Sequence, residues 1–120
     1  MYEDKAIVVI NKPAGWAVHE GAGSNSEILV DWFVKQYPEV MEHGWPDLSR
    51  VGIVHRLDKD TSGVLILAKN PQVLADLQQQ FRERTVQKEY QAVVFGVPKD
   101  KEGRIETFVG RHPKRRQEQA

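Results

Sequence analysis

Residues 54–69 have the sequence VHRLDKDTSGVLILAK, in which a polar segment lies between two apolar ones. The continuous apolar run over residues 64–68 predicts a strand that is buried on both faces. Residues 51–57 are predicted to be extended, and residues 59–63 have the composition of a polar turn. A polar loop held between two buried segments keeps its side chains in fixed positions toward solvent, and functional sites are often built on such loops.

This polar segment carries several side chains that can bind or react. They are His55, Arg56, Asp58, Asp60, Thr61 and Ser62. A carboxylate such as Asp58 can act as a nucleophile or stabilise a developing positive charge. Structural roles also account for these residues, because Asp58 can form an Asx turn, the hydroxyl groups can bond to the backbone and Gly63 can form a bulge. From the residues alone, both interpretations stay open.

The rest of the chain is predicted to mix short strands with helices. Further strands are predicted at residues 6–10, 16–19, 89–97 and 105–109. Ser26 is expected to cap a helix over residues 27–36. Asn70 and Pro71 are expected to start a second helix, whose apolar stripe runs from Val73 to Phe81. The pattern predicts an α+β fold with a mixed, largely antiparallel sheet and flanking helices.

Length and composition limit the class of protein. The chain has 120 residues, of which 40% are hydrophobic and 28% charged, and this suits one small folded domain. The lack of cysteine excludes a disulfide scaffold and a thiolate metal site, and it fits the cytoplasm, where we expect the protein to act. The four histidines show no metal-ligand spacing. No apolar run approaches the roughly 20 residues of a membrane span.

Charge is balanced over the whole chain but clustered locally. The formal net charge is zero, so composition alone does not indicate a nucleic-acid partner. Arg82, Arg84 and Lys88 form one basic group. The end of the chain carries another, made of Arg111, Lys114, Arg115 and Arg116. From charge alone, these residues are either solvated surface or contacts for RNA phosphates.

Four motifs resemble those of the RluA-type RNA pseudouridine synthases. Residues 55–69 are similar to the family pattern H-R-L-D-x-x-T-S-G, followed by an apolar strand and Ala-Lys. Residues 11–19, NKPAGWAVH, resemble its N-K-P-x-G-x-x-V-H segment, and residues 88–90 resemble its K-x-Y segment. Residues 111–113 resemble the R-H-P loop of the subgroup that acts on large-subunit ribosomal RNA. Glu20 departs from the pattern, since many relatives have proline there.

The resemblance implies an isomerase that converts specific uridines of structured RNA to pseudouridine, with no cofactor, metal or membrane partner. Ribosomal RNA is the expected substrate and transfer RNA the alternative. Asp58 takes the catalytic role, Arg56 fills the space that the flipped base leaves, and Tyr90 stacks on the uracil. His55 and Thr61 contribute to substrate binding by shaping the loop. The implied RNA-phosphate contacts are Lys12, Arg111, Lys114, Arg115 and Arg116, with His19 and His112 as further RNA or loop contacts.

The resemblance also implies that residues 1–120 are the N-terminal portion of one catalytic domain whose C-terminal part is missing. The family segment R-x-H-Q-I-R-V-H, whose arginine pairs with the catalytic aspartate, would follow residue 120. We therefore expect an exposed apolar sheet edge or an intertwined oligomer.

Two other functions stay open at this stage. One is an RNA-binding fragment without chemistry. The other is a glycosidic hydrolase that uses Asp58 and Asp60, although two carboxylates on one loop are poorly placed to flank a bond. A serine hydrolase built on His55, Asp58 and Ser62 is disfavoured because the G-x-S-x-G motif is absent.

Overall fold

The fold of the chain is taken from a computed structural model, which describes residues 1–19, 28–107 and 110. The chain divides into two units, Met1–Lys88 and Glu89–Ala120. The first unit contains a three-stranded antiparallel sheet in the order β1-β2-β3, formed by β1 (Tyr2–Glu3), β2 (Ile7–Lys12) and β3 (Gly63–Ala68). With its helices, this sheet gives the predicted α+β architecture.

Strands β2 and β3 confirm two predictions, and the register between them is continuous. Ile7 pairs with Ala68 at one end and Lys12 with Gly63 at the other. The prediction that β3 is buried on both faces is wrong. Leu65 is fully buried, whereas Val64 is 58% exposed. Antiparallel sheets commonly pack one face on the core and leave the other partly in water, and β3 follows that rule.

The helices of the first unit are α1 (Leu29–Gln36) and α2 (Pro71–Arg82), and 3₁₀ turns at Pro38–Glu42 and Leu48–Arg50 lie between α1 and β3. Helix α2 begins as predicted, since the side chain of Asn70 accepts a hydrogen bond from the amide of Val73. Helix α1 does not. Its N-cap is Ile28, which makes no side-chain cap, and Ser26 lies outside the described residues. No helix in the described part of the chain is long and apolar enough to cross a membrane.

Two predicted strands of the first unit do not form in the part of the chain that the structure describes. Residues 16–19 contribute a single bridge, between Ala17 and Ile28. Residues 51–57 also make only one bridge, between Ile53 and Leu67. The physical reason in the second case is Gly52, whose φ of +71° turns the chain instead of extending it. This turn brings the amide of Ile53 to the carbonyl of Arg50 at 3.0 Å.

The core of the first unit lies where α1, the 3₁₀ turns and β3 meet. Phe33, Val40, Leu65 and Leu67 are completely buried there. The buried indole of Trp45 donates from Nε1 to the carbonyl of Val40 at 2.7 Å, which satisfies its one polar atom. The same core buries Val51, Ile53, Val54 and Leu57 and so fixes the segment that leads to Asp58.

The second unit has neither helix nor strand among its described residues 89–107 and 110. The prediction of a strand at residues 89–97 is therefore wrong for this structure. Residues 105–107, the described part of the last predicted strand, do not form a strand either. Val93 and Phe95 are fully exposed. A strand needs a partner to pair its backbone groups, and residues 89–97 have no such ladder in the described part of the chain. Residues 108 and 109 lie outside it.

Candidate active site

Asp58 lies at the start of a turn, and the residues that lead into this turn alternate between exposed and buried. Leu57 is 7% exposed, whereas Arg56 and Asp58 on either side of it are both exposed. The amide of Thr61 donates to the carbonyl of Asp58 at 3.1 Å and closes the turn. Alternation in extended backbone explains this arrangement, since a buried Leu57 directs both of its neighbours outward. The polar turn predicted from the sequence is confirmed.

The edge of β3 that faces away from β2 holds the segment that precedes Asp58. The amide of Ala68 donates to the carbonyl of Gly52 at 2.9 Å, and the amide of Ile66 donates to Nε2 of His55 at 3.2 Å. Gly52 is required at this contact. A Cβ added to it would lie 2.5 Å from Cε1 of Phe33 and 2.7 Å from the carbonyl oxygen of Ala68. Sequence reasoning missed this role, although a glycine inside an apparent strand often marks a close backbone approach.

Helix α2 contacts the same segment from a second side. Gln78 donates from Nε2 to the carbonyl of Ile53 at 3.2 Å. The ring of Phe81 stacks on the imidazole of His55, with 4.5 Å between centroids and 16° between planes. The predicted apolar stripe of α2 therefore fixes the loop as well as filling the core.

Lys12 reaches the turn from a third side, and this corrects its predicted role as a phosphate contact. Its side chain is fully buried, and Nζ donates to the carbonyls of Pro13 at 3.0 Å, Trp16 at 2.9 Å and Lys59 at 3.0 Å. Three acceptors use all three N–H bonds of an ammonium group, so none is left for RNA. Burial lowers the pKa of Lys12, and the negative charges of Asp60 and Asp58 oppose that shift. The alternation of β2 signals this burial, since Lys12 shares a face with the buried Val8.

The two histidines near the loop lie in environments that disfavour their charged forms. Burial lowers the pKa of His55, and the positive charge of Lys88 adds to the effect. Burial also lowers the pKa of His19, helped by the charges of Arg50 and Arg56. The buried Nδ1 atom of His19 has no hydrogen-bond partner among the residues that the structure describes. The contacts of His55 are internal, with the amide of Ile66 and the ring of Phe81.

The remaining predicted site residues do not belong to the first unit. Tyr90 belongs to the second unit and is 63% exposed. Arg111, His112, Lys114, Arg115 and Arg116 lie outside the described residues. Within residues 1–19, 28–107 and 110, Asp58 forms no ion pair, and no cluster of His, Asp or Glu could hold a metal ion.

Comparison with known proteins identifies the class of protein that carries this loop. The family of RNA pseudouridylate synthases matches residues 6–120, so the chain belongs to that family. Its motifs and curated relatives are those of the RluA-type branch.

Three relatives illustrate the similarity. The chain is 42% identical to an uncharacterized RNA pseudouridine synthase of Synechocystis sp., over 98% of this chain and 35% of that protein. It is 44% identical to the ribosomal large subunit pseudouridine synthase D of Neisseria meningitidis serogroup B, over 97% of this chain and 29% of that protein. It is 39% identical to the protein of the same name from Pseudomonas aeruginosa, over 100% of this chain and 36% of that protein. The chain thus spans about a third of the length of these relatives.

Proposed function

We propose that this chain carries the catalytic loop of an enzyme that isomerises uridine to pseudouridine in ribosomal RNA, with Asp58 as the catalytic residue. The observation that carries the proposal is the exposed carboxylate of Asp58 on a turn held by β3, α2 and Lys12. A reactive group needs such fixed placement, because small displacements from the reacting geometry are costly. Family membership and relatives named for the large ribosomal subunit support the reaction and the substrate.

The reaction requires one carboxylate from the protein and a means of exposing the base. The C1′–N1 bond of uridine breaks, the uracil turns, and a C1′–C5 bond forms. C5 loses its proton and N1 gains one, so atoms balance without a cofactor. The carboxylate of Asp58 either adds covalently or stabilises positive charge at C1′. Its exposure gives a flipped nucleotide direct access to it.

Neighbouring residues receive supporting roles in this proposal. Arg56 is exposed beside Asp58 and fills the space that the extruded base leaves. Thr61 fixes the turn, because its backbone amide donates a hydrogen bond to the carbonyl of Asp58. Tyr90 stacks on the uracil. Phosphates are held by Arg111, Lys114, Arg115 and Arg116, and residues 1–120 form the N-terminal portion of a single catalytic domain.

A second candidate is an RNA-binding module that performs no chemistry. It is favoured by one observation, that Asp58 has no arginine partner among the described residues, whereas the resemblance implies one. A glycosidic hydrolase is less favoured by the geometry, since Asp58 and Asp60 lie on one turn and both are exposed on it.

Tritium release from ribosomal RNA labelled at uridine C5 tests the proposal, with free uracil measured in the same samples. The full-length protein is compared with its Asp58→Ala and Asp60→Ala variants. We expect release by the parent and by Asp60→Ala, no free uracil, and a loss on the order of 10³-fold or more in Asp58→Ala. RNA binding without release would favour the binding module, and free uracil would favour the hydrolase. Equal activity in Asp58→Ala would refute the catalytic role.

A further inference from the structure

Strand β3 has an uncovered edge, the edge away from β2, where the described part of the chain adds no strand but only the bridge between Ile53 and Leu67. On the other edge, toward β2, the amide of Lys69 donates to the carbonyl of Ala6 at 2.8 Å. On the uncovered edge, Ala68 donates to a backbone carbonyl, that of Gly52. Two residues earlier, Ile66 donates to a side chain, the Nε2 atom of His55. An imidazole thus takes the place that a carbonyl of a neighbouring strand would fill.

We propose that His55 is a positioning residue for Asp58, and that it acts through its uncharged imidazole at the edge of β3. The inference rests on the proposed function and deepens it. His55 precedes Asp58 by one short extended segment, in which Leu57 is the buried residue. A bond from β3 to His55 therefore fixes where that segment leaves the sheet and, with it, the direction in which Asp58 projects.

The ring of His55 is held on a second side by the C-terminal part of α2. The stacked ring of Phe81 sets the plane of the imidazole, at 4.5 Å between centroids. The ammonium of Lys88 lies 5.7 Å from the centre of the Phe81 ring. A ring with one face packed and one nitrogen hydrogen-bonded has little freedom to rotate. Strand β3 and helix α2 therefore fix the position of the loop through this ring.

The hydrogen bond exists in one protonation state only. Nε2 accepts from an amide, so it must carry no proton, and the proton of the neutral ring is on Nδ1. A protonated ring would place an N–H of its own against the amide of Ile66 and lose the bond. Among the described residues, the ring contacts the amide of Ile66 from β3 and the ring of Phe81 from α2, and neither group is titratable. In the described part of the chain, the charge that acts on the ring is that of Lys88.

These surroundings set the direction of a pH effect. Burial and then the charge of Lys88 hold the pKa of His55 below its ordinary value of 6.5. The contribution of the neutral ring is therefore complete above pH 6.5, and it is lost as pH falls through the lower pKa of the folded protein. The positioning role predicts that kcat falls on this acid side because the loop is released.

Two variants separate the hydrogen bond from the packing. His55→Phe keeps a ring to stack on Phe81 but has no acceptor, whereas His55→Gln keeps an acceptor of similar reach that does not titrate. In tritium-release assays of the full-length protein, we expect kcat of His55→Phe to fall by about 10- to 100-fold with KM little changed. His55→Gln should recover much of that loss and show no acid limb. Thermal unfolding identifies any variant that fails to fold.

Hydrogen exchange at the amide of Ile66 gives a readout that does not depend on activity. We expect faster exchange in His55→Phe than in the parent and His55→Gln, and faster exchange in the parent as pH falls, after correction for the intrinsic rate. Parent-like kcat in His55→Phe, or an unchanged acid limb in His55→Gln, would overturn the positioning role. If the parent releases no tritium, the proposed function fails and the positioning role with it. The Ile66 amide then shows whether the hydrogen bond itself exists.

Discussion

The Nζ atom of Lys12 lies 3.0 Å from the carbonyl oxygen of Lys59, which is 47 residues further along the chain and directly follows Asp58. The same oxygen accepts a second hydrogen bond from the amide of Gly15 at 2.9 Å. The turn at residues 14–15 and the turn at residues 59–60 are therefore joined at the residue beside the proposed catalytic group. Because Nζ also bonds to the carbonyls of Pro13 and Trp16, one buried ammonium organises both turns.

Replacing Lys12 with methionine should destabilise the protein and weaken catalysis. Methionine has similar length but leaves the carbonyls of Pro13, Trp16 and Lys59 without their donor. We expect the free energy of unfolding to fall by about 2 kcal/mol or more, measured by urea denaturation. Tritium release should fall as well, since the turn that carries Asp58 loses a contact.

Lys59→Met is the matched control, because the Lys59 side chain is exposed and its carbonyl is unchanged. Its effect on stability should stay within about 0.5 kcal/mol. The slope of log K against log salt for RNA binding should be the same in Lys12→Met and the parent. A slope reduced by about one would contradict the internal role of Lys12 and restore it as a phosphate contact.

Gly52→Ala should be among the most damaging small substitutions in the first unit. The new Cβ would meet both Phe33 and the carbonyl of Ala68, and φ is +71°. We expect a loss of about 3 kcal/mol, combining overpacking with backbone strain. Gly15→Ala, with φ of +89° and open space, measures the strain alone and should cost about 1 kcal/mol. Equal losses in the two variants would show that the close approach at Gly52 is unimportant.

Sequence reasoning finds the elements whose information is local. The apolar runs of β2 and β3 and the cap and stripe of α2 predict those elements correctly, because periodicity and Asn-Pro chemistry act within a few residues. It fails at residues 51–57, where apolar composition suggests a strand and Gly52 instead turns the chain against Phe33. It also fails at residues 89–97, since alternation predicts a strand only if another strand pairs with it.

The candidate site follows the same division. The motif singles out Asp58 and Arg56, and the structure leaves both exposed. The motif does not predict that Lys12 donates hydrogen bonds to buried carbonyls or that His55 accepts one from an amide of β3. Both contacts depend on partners distant in sequence. Such contacts could be anticipated from burial patterns but not from the motif itself.

Arg56→Ala should impair activity most where the target uridine is stacked. An exposed guanidinium that fills the vacated space offsets part of the cost of extruding the base, which is a few kcal/mol. We expect about tenfold or greater loss of kcat/KM on a structured stem and a smaller loss on a short single strand. Arg82→Ala, at an exposed position of α2, is the control. Equal losses on both substrates would argue against a base-replacing role.

Stability should fall in mild acid because of His19. Burial, then the charges of Arg50 and Arg56, lower its pKa from 6.5, so the neutral form stabilises the fold above that pH. This stabilisation is lost as pH falls through the lowered pKa. His19→Gln should therefore reduce the difference in urea midpoint between pH 7.5 and pH 5, whereas His43→Gln at an exposed site should not. An unchanged difference in His19→Gln would contradict this account.

The most direct test of Asp58 is chemical mapping of pseudouridine in the large-subunit ribosomal RNA of cells that lack the gene. The gene is restored as the parent, as Asp58→Asn or as Asp60→Asn, with equal protein levels verified. These two changes are isosteric and lie on the same turn, so they differ in the proposed chemistry and in little else. We predict that specific pseudouridines return with the parent and with Asp60→Asn but not with Asp58→Asn. Their return with Asp58→Asn would contradict the assignment of Asp58 as the catalytic residue.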